Sequence, residues 1–372
     1  MAMSGLSFKH ISKPLADGAA FEDFNLEIDD GEFVALVGDK GCGKAELVRM
    51  AQGYGGAFSG EVFVGDKLVS RFSKGQEAAC LINDIPLMGT PRQEIRKLLR
   101  IRNVSRPEAD ARINRAAERT GAAEALDVRY ARLSPEMRLR AGMTRAIALE
   151  SKAALFIDPF EDMDTRTTAR MRVAVMDFFD LSGMAFVLST HTGNAALSMA
   201  TRVVAMREGK ILQSDTPQNI YDFPADRYVA EYFGSSLINI FPVTLERAGE
   251  TVYAVFGENH IPVPAGKLGK LVDPGYVGRR VLMGVRPENV HYEQAFLSVS
   301  PESALDVTVR HIEIMGSETY LHTTLPGVEG DFIARVDPRC ITGKGAGMTL
   351  AIDCNRLHFF DLETEKTILS RL

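Results

Sequence analysis

Seven consecutive residues, Gly38-Asp39-Lys40-Gly41-Cys42-Gly43-Lys44, have the spacing of a phosphate-binding loop. The pattern G-x-x-x-x-G-K holds phosphate only where a strand turns sharply into a helix. The flanks meet that condition: Phe33-Val34-Ala35-Leu36-Val37 is continuously apolar, and Leu47, Val48 and Met50 fall at helical spacing. Glycines let the backbone wrap an anion, inward N–H groups donate to it, and the helix N-terminus adds a favourable field. Lys44 is then the cation that reaches the β- and γ-phosphates of a nucleotide. A solvated lysine at a helix start is the alternative, and the strand–loop–helix context argues against it. The next position should carry a Ser or Thr hydroxyl for Mg²⁺, but here it is Ala45, followed by Glu46. Most of the cradle is present and its metal ligand is gone. Cys42 occupies a variable loop position and reads as structural.

The elements that must position this loop follow from hydrophobic periodicity. Two alternating stretches between Leu6 and Ile28 flank Pro14 to Gly18 as in a hairpin, and Glu61 to Val64 reads as a further strand. Glu94 to Leu126 reads as helices, one starting after Ser105 with Pro107, Glu108 and Asp110. Another helix follows Leu133-Ser134. Ala153 to Ile157 and Ala185 to Leu188 are apolar runs suited to strands buried on both faces, separated by a helix from about Thr165 to Phe179. This alternation predicts a mainly parallel α/β sheet with a helical insertion. The texture changes near Ser235. From Phe241 onward short strands separated by turns dominate, which predicts small barrels or sandwiches.

Composition sets outer bounds. A chain of 372 residues, 45% hydrophobic and 25% charged, has room for two or more domains with substantial cores. A net charge of −6 supplies no global basic field for nucleic acid. Cys42, Cys80, Cys340 and Cys354 lack metal-like spacing and read as reduced thiols of a cytosolic protein. No run approaches the ~20 apolar residues of a bilayer span, and the first residues lack a signal-peptide pattern. Membrane association is therefore expected only through partners.

Taken in order, these pieces resemble the ATP-binding subunits of ABC importers, especially the carbohydrate-uptake branch of maltose and glycerol-phosphate type. The resemblance spans nearly the whole chain. It rests on the phosphate loop, Leu133-Ser134, Leu155-Phe156-Ile157-Asp158, Ser189-Thr190-His191 and Met206-Arg207-Glu208-Gly209-Lys210-Ile211. The tail adds Gly284-Val285-Arg286-Pro287-Glu288, Met315-Gly316-Ser317-Glu318-Thr319 and Leu357-His358-Phe359-Phe360-Asp361, similar to the family's TOBE regulatory domain. The implied fold is a P-loop NTPase ABC nucleotide-binding domain over residues 1–234, with a helical subdomain at about 85–150. An all-β, OB/TOBE-like regulatory domain over 235–372 follows it.

The resemblance also implies roles. Gly38, Asp39, Lys40, Gly41, Cys42, Gly43, Lys44, Ala45 and Glu46 would hold the ATP phosphates, and Leu15 stands where the family stacks an aromatic ring on adenine. Asp158 is the Walker B acid that holds Mg²⁺ through water. Asn83, one methylene shorter than the family's glutamine, is the second residue at the metal. His191 is the switch histidine at the γ-phosphate, although a turn histidine after a buried strand is the bland alternative. Ser134 would reach the nucleotide of a partner subunit in trans.

Departures from the pattern cluster at the chemistry. Pro159 directly follows Asp158, so the family's catalytic glutamate is missing; Glu161 is the nearest carboxylate, where the family has its D-loop. The signature, normally L-S-G-G-Q, reads Leu133-Ser134-Pro135-Glu136-Met137. Pro135 lacks an N–H donor, and Glu136 is expected to place negative charge where phosphate docks. Arg138, Arg140 and Arg145, at helical spacing after the signature, read as a phosphate patch or, the expected alternative, as a solvated helix face. Arg286 and Glu288 read equally as interface or turn residues.

The implied assembly has two permeases, a second ATP-binding subunit, and indirectly an extracytoplasmic solute-binding protein, with no nucleic acid. It lies on the inner face of a bacterial cell membrane. A heterodimer with a more active ATPase is expected over a homodimer. Impaired hydrolysis and weakened Mg²⁺ dependence follow from the departures. The alternatives are a non-catalytic subunit of the same transporter and a soluble regulator using the same fold.

Overall fold

Five apolar residues in a row, Phe33–Val37, form a strand buried along its whole length, and such a strand needs a neighbour on each side. The computed structural model describes residues 4–15, 18–69, 79–83, 88–234, 237–340 and 342–370. The expected start of the helical insertion at 85–87 and the expected join at Ser235 lie outside them, as does part of the first hairpin turn. The described chain divides into two compact units, Met1–Pro217 and Gln218–Leu372.

The first unit is built on a six-stranded sheet. Its strands, among β1 (Ser4–Pro14), β2 (Ala20–Asp29), β3 (Phe33–Val37), β4 (Ser59–Val64), β5 (Lys67–Leu68), β6 (Ala79–Leu81), β7 (Ala153–Ile157), β8 (Ala185–Thr190), β9 (Arg202–Arg207) and β10 (Lys210–Asp215), run in the order β10-β9-β3-β8-β7-β6. β9 through β6 are parallel, in register Val34↔Val187 and Leu155↔Val187, and β10 closes one edge antiparallel. The remaining strands form an antiparallel sheet, β2-β1-β4-β5. Leu36, Leu47, Val187 and Met206 share one core with Phe8 and Phe21.

Helices connect the parallel strands: α1 (Lys44–Ala51), α2 (Pro91–Ile101), α3 (Arg106–Thr120), α4 (Pro135–Ala148), α5 (Thr165–Ser182) and α6 (Gly193–Met199). Local sequence explains their starts. Thr90 and Gln93 form a reciprocal capping box before α2. Ser134 caps α4 by accepting from the Met137 N–H at 3.2 Å, with Pro135 at the first helical position, where a missing N–H costs nothing within the helix. Gly121, at φ 67°, ends α3 in the left-handed conformation. α2, α3 and α4 share a small core of Ile95, Leu99 and Ile113.

The second unit opens with α7 (Pro217–Asp222) and α8 (Arg227–Tyr232) and continues as two five-stranded antiparallel sheets. One runs in the order β13-β12-β11-β14-β20, from β11 (Asn239–Ala248), β12 (Thr251–Phe256), β13 (Asn259–Val263), β14 (Arg280–Val285) and β20 (His358–Asp361). The other, β15-β19-β16-β17-β18, uses β15 (Val290–His291), β16 (Ala304–Ile314), β17 (Thr319–Thr324), β18 (Phe332–Val336) and β19 (Gly347–Ile352). Residues alternate inward along β12, as period-two strands require. Phe241, Phe256 and Phe332 meet in the shared core. Buried Asn239 joins the sheets, donating to Val285 O at 3.1 Å and Ile333 O at 2.8 Å and accepting from the Ile333 N–H at 2.7 Å. Among the described residues no helix is long and apolar enough to cross a membrane.

Candidate functional site

The loop 38–43 turns β3 directly into α1 by using backbone conformations that only glycine adopts freely. Gly41 has φ 88° and Gly43 φ 105°. Space is as restrictive as torsion. A Cβ on Gly43 would stand 2.5 Å from the Phe21 ring and 2.9 Å from Leu15 Cδ1. Leu15 thus packs against the last glycine of the loop. Cys42 is buried, and its carbonyl accepts from the Gly209 N–H at 3.1 Å, a structural role.

Lys44 is the first residue of α1 and only 5% exposed. Its Nζ donates to the carbonyls of Gly38 at 2.8 Å and Asp39 at 2.9 Å. A buried ammonium held by neutral carbonyls at a helix N-terminus is what an anion site supplies, so these residues fit a nucleotide phosphate. The solvated alternative for Lys44 does not hold. Asp39 and Lys40 are exposed on the loop rim, and Ala45 offers no oxygen. Glu46 turns away to Lys13, whose Nζ lies 2.5 Å from its carboxylate. Lys13 lies 33 residues back in sequence, so no local spacing signals this pair.

Across the sheet, Asp158 follows β7 in a left-handed conformation, φ 41°. Its Oδ1 accepts twice from His191, from the backbone N–H at 3.2 Å and from ring Nδ1 at 2.8 Å. The residue expected at Mg²⁺ and the residue expected at the γ-phosphate are therefore directly paired. Asn83 grips the strand before Asp158, its Oδ1 accepting from the Ile157 N–H at 3.0 Å and its Nδ2 donating to Ile157 O. One Asn83 lone pair and the second Asp158 oxygen are what these two residues retain for a cation. Among the described residues no three His, Cys, Asp or Glu side chains gather as a metal group. The donor set is thin for Mg²⁺, which takes octahedral oxygen ligands and keeps several waters. Glu161 is exposed, and its N–H closes a turn onto Asp158 O at 3.2 Å.

The signature segment differs in electrostatics from expectation. Glu136 is not an uncompensated charge: its carboxylate lies 3.2 Å from Arg140 and 2.9 Å from Arg170. Two guanidiniums oppose the repulsion assigned to it. The solvated face expected for the three arginines holds only for Arg138. Arg140 is half-buried and donates to Thr120 O at 2.8 Å. Arg145 is 7% exposed, lies 2.6 Å from Glu94, and donates to Leu81 O. Burial alone would lower its pKa, but the facing Cys80 and Glu94 outweigh that and hold it above the ordinary value. Arg145 thereby fixes the end of β6, two residues from Asn83. Helical spacing gave no sign of this, because a packed arginine and a solvated one look alike in sequence.

Family models match in the same order as the elements. An ABC transporter model matches residues 21–161, a MalK OB fold domain model 235–290 and a TOBE domain model 283–360. The chain is 32% identical over 98% of its length to all of the oligosaccharides import ATP-binding protein MsmX of Bacillus subtilis. It is 29% identical over 98% of its length to all of the trehalose/maltose import ATP-binding protein MalK of Thermococcus litoralis. The same identity and share relate it to 96% of the sn-glycerol-3-phosphate import ATP-binding protein UgpC of Chromobacterium violaceum. A solved subunit of the ABC transporter complex cbiONQ from Clostridium perfringens is similar in fold. It superposes with TM-score 0.52 at 19% identity over 59% of this chain and 90% of that one.

Proposed function

The chain belongs to the ATP-binding subunits of ABC importers of the MalK type, and from that premise we propose that it serves a sugar or polyol importer with impaired hydrolysis of its own. The relatives named above import oligosaccharides, trehalose or maltose, and glycerol phosphate. On this reading it sits on the cytoplasmic face of the bacterial membrane, beside two permeases served by a solute-binding protein. It pairs there with a more active ATP-binding subunit. Helices α2 and α3, next to Asn83, receive the permeases; the Leu87 end of that groove lies outside the described residues. A boundary between nucleotide-binding and regulatory domains at Gly234 is part of the same proposal.

One observation carries the impaired reading: the acid at the end of β7 is engaged by His191 and followed by Pro159, with no hydroxyl at Ala45. Lys44, the loop amides and the start of α1 bind and orient phosphate without a metal. When bound, Mg²⁺ neutralises charge that develops on the transferred phosphoryl group. Here Asp158 and Asn83 alone would hold it. His191 positions phosphate and also restrains Asp158. The pairing of Asp158 with His191 equally favours the second reading, a non-catalytic subunit in which ATP only closes the dimer.

Titration of the purified chain with ATP, with and without Mg²⁺, tests the site. Similar affinity in both conditions is the expected result. A strong Mg²⁺ requirement, or no binding in either, contradicts it.

A further inference from the structure

Arg286 is buried to 2% exposure with no carboxylate at ion-pair distance among the described residues. It donates to two neutral carbonyls, Phe233 O at 2.6 Å and Tyr221 O at 2.9 Å, and lies 3.7 Å from the Tyr221 ring centre. Its Nε is buried without a partner among the described residues. A buried guanidinium held by dipoles and a ring, with Asp222 opposing its desolvation only from beyond ion-pair distance, is under-compensated: burial pushes its pKa down to about 10.

Arg286 lines a cavity of about 620 Å³ that lies wholly within the second unit. Lys267, Lys270 and Arg356 line the same cavity, bringing four cations to one concavity. Among the described residues three carboxylates act on them: Asp222 and Glu288 in the wall, and Asp353 beside Lys267. Asp222 lies 3.7 Å from Arg356 and accepts from Gln218, and burial pushes the Glu288 acid up. The balance is positive, and the neighbouring groups register it. Desolvation, then Lys270 and Arg356, lowers Lys267 against the opposing Asp353; desolvation, then Arg286, Lys267 and Arg356, pushes His358 down to about 3. The rest of the wall is rich in neutral donors and acceptors, including Asn289, Asn355, Thr367 and Ser370.

The geometry points to a binding site for a small phosphate monoester of a sugar or polyol, its phosphate held by Lys267 and Lys270 with the buried charge of Arg286 behind them, and its hydroxyls by the amide and hydroxyl wall. A dianion matches several converging cations. The cavity falls within the range of small-molecule sites and is larger than inorganic phosphate needs. This site is separate from the phosphate loop and stands whether or not the chain hydrolyses ATP.

Calorimetric titration of the full chain with glucose 6-phosphate, inorganic phosphate and glucose tests it. Glucose 6-phosphate should bind at micromolar to millimolar concentration, inorganic phosphate more weakly, and glucose not at all. Lys267→Gln and Lys270→Gln, which remove no ion pair among the described residues, should each weaken binding roughly tenfold or more. Lys44→Ala controls for the nucleotide site and should leave glucose 6-phosphate binding unchanged. Absence of binding overturns the assignment. So does equal binding of glucose or of inorganic phosphate, loss with Lys44→Ala, or indifference to the Lys267 and Lys270 changes in variants that still bind ATP.

Discussion

Gly142 shows how tightly the signature helix is coupled to the nucleotide site. It lies in α4, and a Cβ there would stand 1.9 Å from Ile82 O and 2.7 Å from the carbonyl carbon. Real Cβ atoms keep at least 3.0 Å, so Gly142→Ala requires one backbone to move by ~1 Å. Ile82 cannot retreat cheaply, because its N–H donates to Leu155 O at 2.7 Å within the sheet. Overpacking of this kind costs about 1–3 kcal/mol, and a backbone neighbour places the cost at the upper end. Alanine's better helix propensity returns about 1 kcal/mol. A net loss of about 1–2 kcal/mol remains, which lowers Tm by roughly 2–8 °C for a domain of this size. Because Asn83 follows Ile82, the shift also loosens its grip on Ile157, and ATP affinity should fall. Differential scanning calorimetry and ATP titration of the variant provide the check. A Tm equal to or above the parent, with unchanged ATP affinity, refutes the close-approach argument.

Other perturbations have definite expected outcomes. Arg145→Met removes the cation of a largely buried pair, leaving Glu94 with the Tyr130 hydroxyl but no counter-charge, and should cost about 3 kcal/mol in denaturant unfolding. Adding Glu94→Gln should recover part of the loss, and no recovery would argue against the pairing. His358 has a folded pKa below its ordinary value, so the unfolded chain binds the extra proton. Its stabilising contribution is therefore complete above about pH 6.5 and is lost as pH falls from there toward about 3. The slope is at most about 1.4 kcal/mol per pH unit, the limit set by the uptake of one proton. His358→Gln should flatten the acid limb of an unfolding-versus-pH series, and an unchanged limb would contradict this.

Much of the architecture was legible because it rests on local signals. The continuous apolar runs 33–37 and 153–157 became strands buried along most or all of their length, and turn residues marked the β-rich tail. The phosphate loop was legible for the same reason: its glycines and Lys44 act within one strand–turn–helix unit. Long-range pairing was not. Nothing in the spacing of Arg140, Arg145 and Glu136 indicated that Arg170 and Glu94 would meet them across other helices. Likewise, Glu46 turns to Lys13, a partner on β1. The direct contact of Asp158 with His191 arises because β7 and β8 are sheet neighbours, an adjacency that sequence order alone does not specify.

Turnover by the purified chain tests the central claim most directly. A positioned general base is typically worth about 10²–10⁴-fold, and no carboxylate follows Asp158 to supply it. Steady-state ATPase rates should be compared at concentrations that favour dimers. One protein is the unmodified chain. The other carries a glutamate inserted after Asp158 together with Ala45→Ser, Pro135→Gly and Glu136→Gly. The account predicts very slow hydrolysis by the unmodified chain and a rate about 10²-fold or more higher after restoration. Hydrolysis by the unmodified chain at the rate of an intact relative, with no gain on restoration, would contradict it and make Glu161 or another group the base.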